Sequence, residues 1–200
     1  PFVANQHGRS LIEVMVAMVL GVTVIGSILS TVVSTGASTR TQDSVAKLTE
    51  DAQIALNIVA GHLRQSGFSG PRINTRPGRQ YANYEGAAVR GCDGPLQDMN
   101  APMDTFICAG ANQPNAFSVA YEADIWNTWA VGGAPTDCLG RPLVAQVSPL
   151  GGNFFVAENR FFIRNGAGGR PELACAGNGA PGGFAAPQAL VENVEDMRLI

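Results

Sequence analysis

The sequence predicts an α+β protein: a long N-terminal helix, apolar first and amphipathic later, packed on a C-terminal antiparallel β-sheet domain with disulfides. Three observations carry that prediction. No proline falls between Phe2 and Gly70, whereas prolines and most of the 24 glycines punctuate the chain from Pro71 onward. From Leu11 to Val33 the only charge is Glu13. All 4 cysteines lie in the turn-rich half. The 200 residues hold one compact domain of ordinary size, roughly 100–150 residues, plus an extended element. A net charge of −3 with 14% charged residues argues against a general nucleic-acid binder, which carries a strong basic excess.

The apolar element comes first. About 20 helical residues cross the hydrocarbon core of a bilayer, so Leu11–Val33 suffices for one transmembrane helix. A cleaved secretory signal has a shorter apolar core and a small-residue cleavage site after it, for which Ser34-Thr35-Gly36-Ala37 is a poor substitute, so a retained span is favoured. An ionised side chain within such a span costs about 2.5–3.5 kcal/mol on insertion scales, which makes Glu13 a functional candidate. Gly21, Gly26, Ser27, Ser30, Thr31, Ser34, Thr35 and Gly36 are small. They are either ordinary variation in a lipid-facing helix or the means by which helices approach one another closely.

The helical pattern continues past the span. Val45, Leu48, Ala52, Ala55, Leu56, Val59 and Leu63 recur at spacings of three and four, with Asp43, Lys47, Glu50, Asp51, Asn57, His62 and Arg64 mostly on other faces. Gly67, with Gly70-Pro71 beyond it, supplies the stop. A nearly continuous helix from Ser10 to Ser66 would run about 85 Å at 1.5 Å per residue. Its weak point is Ser34–Ser38, where small polar residues could bend or melt it. The resulting division is a hydrophobic helix over residues 9–35, an amphipathic helix over 36–67 and a Gly/Pro-rich β domain over 68–200.

In the β domain, Phe117-Ser118-Val119-Ala120-Tyr121-Glu122 alternates with the strand period. Phe154-Phe155-Val156, Arg160-Phe161-Phe162-Ile163-Arg164, Glu172-Leu173-Ala174-Cys175 and Leu190–Ile200 are further strands, separated by glycines at 132–133, 151–152, 166–169 and 177–183. A strand ending at Ile200 raises the expectation that the natural chain continues beyond it. An antiparallel meander packed on the amphipathic helix would bury both apolar faces. An even set of cysteines beyond a membrane span points to disulfides in an oxidising compartment. Three pairings are possible, and Cys92–Cys108 with Cys138–Cys175 is favoured because each closes a local excursion. Zinc is disfavoured, since there is no Cys-x-x-Cys spacing and both histidines, His7 and His62, lie outside the domain.

No Ser/His/Asp, Cys/His or metal-ligand constellation stands in the second half, which contains no histidine, and there is no Walker-type loop, so neither catalytic residues nor a cofactor or metal site is expected. Asp93, Asp98 and Asp104 do not follow the EF-hand spacing. Arg72, Arg76, Arg79 and Arg90 could meet DNA phosphates, but a solvated loop surface fits the acidic balance better. Trp126 and Trp129 could form an adhesive patch; packing against the sheet is the expectation.

Gly8-Arg9-Ser10-Leu11-Ile12-Glu13-Val14-Met15-Val16 resembles the class III signal and methylation motif of type IV pilins and pseudopilins. The resemblance implies that a prepilin peptidase cuts after Gly8, leaving residues 1–8 as the leader, and that Arg9, where the family usually has phenylalanine, is N-methylated. It also implies that Glu13 neutralises the N-terminal amine of a neighbouring subunit during assembly, a buried pair that resolves the cost of the lone carboxylate. Leu48-Thr49-Glu50-Asp51-Ala52-Gln53-Ile54-Ala55-Leu56, Leu63-Arg64-Gln65-Ser66-Gly67-Phe68 and Val119-Ala120-Tyr121-Glu122 resemble the PilW group of minor pilins. So do Asp137-Cys138-Leu139-Gly140, Asn159-Arg160-Phe161-Phe162 and Leu190-Val191-Glu192-Asn193-Val194-Glu195-Asp196-Met197. What this likeness implies is a type IV pilin-like fold and a structural role in pilus assembly. Its partners would be other pilins, met through the N-terminal helix, the prepilin peptidase and an inner-membrane assembly platform. The protein would be single-pass in the bacterial inner membrane with its domain periplasmic, and then part of the filament or its tip. A type II secretion pseudopilin, or a more abundant filament subunit, is the alternative.

Overall fold

The computed structural model describes residues 10–71, 82–110, 113–148, 151–179 and 181–198. One helix, α1, runs Leu11–Gln65, and the chain divides into two compact units, Pro1–Glu50 and Asp51–Ile200.

In the first unit, α1 stands without internal packing: every described residue from 10 to 50 is exposed. The carbonyl of Ser10 accepts from the amides of Glu13 (3.0 Å) and Val14 (3.4 Å), closing the first turn. The stretch over residues 34–38, expected to bend or melt, is helical. The reason is local. Thr35 Oγ1 donates to the Thr31 carbonyl (2.8 Å) and Thr39 Oγ1 to that of Thr35 (3.0 Å), as Thr31, Thr41, Ser44 and Thr49 do to the carbonyl four residues back. These hydroxyls are satisfied inside the helix and do not compete with its ladder.

In the second unit, the end of α1 packs on an antiparallel sheet. The strands are β1 (Val89–Cys92), β2 (Ala116–Ala123), β3 (Gln146–Val147), β4 (Asn153–Asn165), β5 (Pro171–Gly177) and β6 (Gln188–Glu192). Their order is β1-β2-β4-β5-β6, with β3 paired to the start of β4. β2 is buried along its whole length because both sheet faces are covered. On one face Phe117, Val119, Phe161, Leu173, Cys175 and Val191 form the main core, and Ala55, Ile58, Val59 and Leu63 of α1 pack on it. On the other, Ala116 and Ala120 meet Cys92 at the end of β1 and Met103 and Phe106 from the loop after it.

The helical stripe differs from the expected one. Ala55, Ile58, Val59 and Leu63 face the sheet, whereas Leu56 is 68% exposed and Val45, Leu48 and Ala52 are also exposed. Spacings of three and four fit two adjacent faces of this helix, and only one meets the sheet. The helix stops where Gly67, at φ +73°, turns the chain so that its amide donates to the Ala120 carbonyl (2.8 Å). Only glycine takes that conformation without strain, and a Cβ there would also lie 2.8 Å from that of Ala88.

Two strands read separately, at 154–156 and 160–164, are one 13-residue strand, β4. The expected strand over 190–200 ends at Glu192; Asn193 takes φ 60° and the chain leaves the sheet. β1 and β3 were not anticipated. The glycines at 132–133 form a tight turn closed by hydrogen bonds between Val131 and Ala134 in both directions. Both have positive φ, as a two-residue hairpin turn requires.

Candidate functional site

The structure carries two features beyond its core: the apolar start of α1 and a cleft in the second unit. Glu13 lies in the first turn of α1, where a carboxylate meets the positive end of the helix dipole. Ser10 to Glu13 also follows the Ser-x-x-Glu spacing that closes helix N-termini reciprocally. Glu13 therefore sits where a carboxylate is locally favoured, at the edge of a run that is not. Leu11, Ile12, Met15, Val19, Leu20, Ile25, Leu29 and Val33 are all more than half exposed. The helix is long and apolar enough to cross a membrane. Gly8 and Arg9, the expected processing and methylation positions, lie outside the described residues.

The four cysteines pair as Cys92–Cys108 and Cys138–Cys175, and among the described residues none is free. The first bond closes a loop whose interior is organised by two arginines. Arg90 donates to the carbonyls of Met103 (3.1 Å), Asp104 and Phe106 (3.1 Å) and lies 4.7 Å from the Phe106 ring centre. Arg90 is thus a half-buried loop clamp and not part of the solvated loop surface expected for it; Arg72, Arg76 and Arg79 lie outside the described residues. Arg160, fully buried, pairs with Glu158 at 2.6 Å, donates to the Met99 carbonyl (2.8 Å) and stacks on Phe184 at 3.9 Å. Asp98 accepts from the Asn100 amide (2.8 Å), a local turn contact. Among the described residues no three His, Cys, Asp or Glu side chains converge as a metal site.

The cleft, of about 370 Å³, runs between α1 at Asn57, Gly61, His62 and Gln65 and the loop carrying Trp129, with Tyr121 and Asp137 also in its lining. His62 is fixed by Asn159. The Asn159 Oδ1 accepts from the Cys138 amide (2.8 Å), which turns its Nδ2 toward His62 Nδ1 (3.4 Å). Nδ1 is then the acceptor, and the neutral ring carries its proton on Nε2. Burial lowers the His62 pKa to about 4, so the ring is neutral at pH 7. It lies 5.0 Å from the Phe161 ring. Burial also raises Tyr121 to about 12. Asp137 is structural: its Oδ1 accepts from the amides of Leu139 (2.9 Å) and Arg141 (3.0 Å), its Oδ2 from that of Gly179 (3.0 Å).

Trp126 and Trp129 contradict the expectation that they pack on the sheet: they are 89% and 82% exposed. The loop that bears them is tied down from beneath. Asp124 Oδ1 accepts from the amides of Trp126 (2.7 Å) and Asn127 (2.8 Å), and Asn127 Nδ2 donates to the Glu122 carbonyl (2.9 Å). Thr136 Oγ1 donates to the Trp129 carbonyl (2.6 Å), and Gln65 Nε2 to that of Asn127 (3.0 Å). Both indoles are left outside a braced turn. The sequence signal that could have revealed this is the Asp124-x-x-Asn127-Thr128 cluster of turn-forming side chains around Trp126 and just before Trp129.

No family model, curated protein or solved structure matches the chain.

Proposed function

We propose that this protein is a minor pilin of the PilW kind, a structural subunit that joins a type IV pilus through its N-terminal helix and serves in assembly or priming. The observation that supports the reading most is the first unit of the structure. Among the described residues its apolar segment over 11–33 is exposed throughout, and the one carboxylate of that segment, Glu13, stands in the first turn of the helix. Lipid satisfies the apolar surface before assembly, and neighbouring helices satisfy it afterwards. An ammonium from a neighbouring subunit would neutralise Glu13, giving the contact a fixed register. Two disulfides in the second unit accord with a domain held outside the cytoplasm, in the periplasm and then on the filament. On this reading cleavage after Gly8 exposes Arg9 as the methylated N-terminus, and the protein performs no catalysis.

Glu13→Ala tests the assignment. Membrane insertion should persist while recovery in sheared pili is lost; wild-type recovery of the variant would sink the role of Glu13. Deletion of the gene should abolish or reduce pili. Loss of protein secretion with normal pili would favour a type II secretion pseudopilin instead, and a copy number matching the main subunit would make it a major one.

A further inference from the structure

We propose that the cleft beside His62 binds a neutral oligosaccharide, with Trp129 as its stacking platform. The indole of Trp129 is both part of the cleft lining and 82% exposed, so one ring face is open to an occupant. Burying an aromatic side chain is among the larger gains available to a folding chain. Here the hydrogen bonds of Asp124, Asn127 and Thr136 hold the loop in a shape that forgoes it. The site is therefore preorganised, which limits the ordering cost of binding.

The floor and walls define the ligand chemistry. Gly61 removes the side chain midway between Asn57 and Gln65 on one helix face, and a Cβ built there meets nothing within 4 Å. The Asn57 amide and the Gln65 Oε1 have no partner among the described residues and border the opening, and His62 Nε2 adds a donor. The lining holds no lysine or arginine, and its one carboxylate, Asp137, already accepts three amides. A phosphate, sulfate or sialic acid would find no counter-charge, and a lipid or apolar peptide would leave the amides unpaired. A neutral pyranose meets both demands: its C–H face lies on the indole, and its hydroxyls pair with amide oxygen, amide nitrogen and imidazole. The volume sits at the small end of ligand pockets, about 300–1,000 Å³, which suits one or two sugar rings. Trp126, on the same turn and 89% exposed, offers a second platform for a longer chain.

The test uses the full chain in phospholipid nanodiscs, avoiding sugar-headed detergents. It is applied to immobilised neutral hexose and N-acetylhexosamine oligomers alongside their sialylated and sulfated counterparts, with indole fluorescence as the solution readout. Neutral oligomers should bind and shift the emission, and Trp129→Ala should weaken binding about tenfold, the worth of a stacked ring. Gly61→Leu should abolish it by filling the cleft while improving helix propensity, so its melting temperature should not fall. Binding confined to charged glycans, binding indifferent to both substitutions, or no binding by any oligomer overturns the proposal. So does loss of a pilin partner in the Trp129→Ala variant without glycan binding, which would make the loop a subunit contact. The glycan-binding and fluorescence readouts do not depend on whether the protein enters filaments.

Discussion

Acidification should destabilise the second unit through His62, and the size of the effect follows from its surroundings. The ring packs against Phe161 and Tyr121 at the wall of the cleft, and its Nδ1 faces an Asn159 donor, so protonation would set a new N–H against that donor and charge a half-buried ring. The folded pKa is lowered to about 4 against 6.5 in the unfolded chain. A histidine with a depressed folded pKa leaves stability unaffected above about 6.5. As pH falls from 6.5 toward 4, the unfolded chain binds the proton first and stability declines; below 4 the loss levels off. With those two values the loss at pH 4 is about 3 kcal/mol. Carboxylates titrate in the same range, so the measurement must be differential. Denaturant unfolding of the full chain and of His62→Gln, both in micelles, should be compared at pH 7 and pH 4. The gap between the two proteins should move by about 3 kcal/mol in favour of the variant at pH 4. A gap that stays constant would refute the argument that His62 is held neutral by burial.

Three further outcomes distinguish contacts that carry stability from contacts that do not. Arg160→Met should cost about 3–5 kcal/mol in denaturant unfolding, because Glu158 and the carbonyls around Met99 and Ala101 lose their cation; Arg198→Ala, whose pair with Asp196 is fully solvent-exposed, should have no measurable effect. Gly67→Ala should lower stability by about 1–3 kcal/mol through its positive φ and the approach of Ala88, whereas Gly61→Ala, in open space on the helix, should raise it by about 0.5–1 kcal/mol, both read as shifts in midpoint. Replacing Cys92 and Cys108 together by serine should cost roughly 3 kcal/mol for a 16-residue separation and loosen the Arg90 clamp, seen as faster amide exchange over residues 93–107.

The elements of the sheet that could be read in the sequence were those whose side chains alternate without interruption. β2 shows the strand period and was placed within a residue at each end. β4 was split between Val156 and Arg160 because Glu158 and Asn159 interrupt the apolar run just before Arg160. Their burial becomes intelligible only through partners remote in sequence: the carbonyls at 98–101 and Phe184 for Arg160, and the Cys138 amide and His62 for Asn159. A single chain shows the cost of such groups and not the contacts that offset it. The cleft was illegible for the same reason, since Gly61, His62 and Trp129 converge only once the helix lies on the sheet. The tryptophans were misplaced because hydrophobicity alone assigns them to the interior, while the turn bonds of Asp124 and Asn127 decide the matter locally.

The unpartnered apolar residues beyond the span sharpen the proposed role of the helix. Val45, Leu48, Ala52 and Leu56 are exposed and fall at i, i+3, i+7 and i+11, so they share one face. Arg40, Asp43, Lys47, Glu50 and Asp51 interleave with them. Lipid does not explain that stripe, because five charges within a dozen residues keep this stretch out of hydrocarbon. Nor does the sheet, which meets Ala55, Ile58, Val59 and Leu63 instead. A stripe of apolar side chains bordered by charges is what a second helix covers in water, the apolar residues supplying attraction and the charges selecting register. On the proposed reading this makes α1 an assembly element beyond its membrane-spanning part. Leu48→Glu should then reduce recovery in sheared pili without altering membrane insertion or unfolding of the isolated subunit. A variant that assembles normally would restrict the assembly contact to the apolar segment around Glu13.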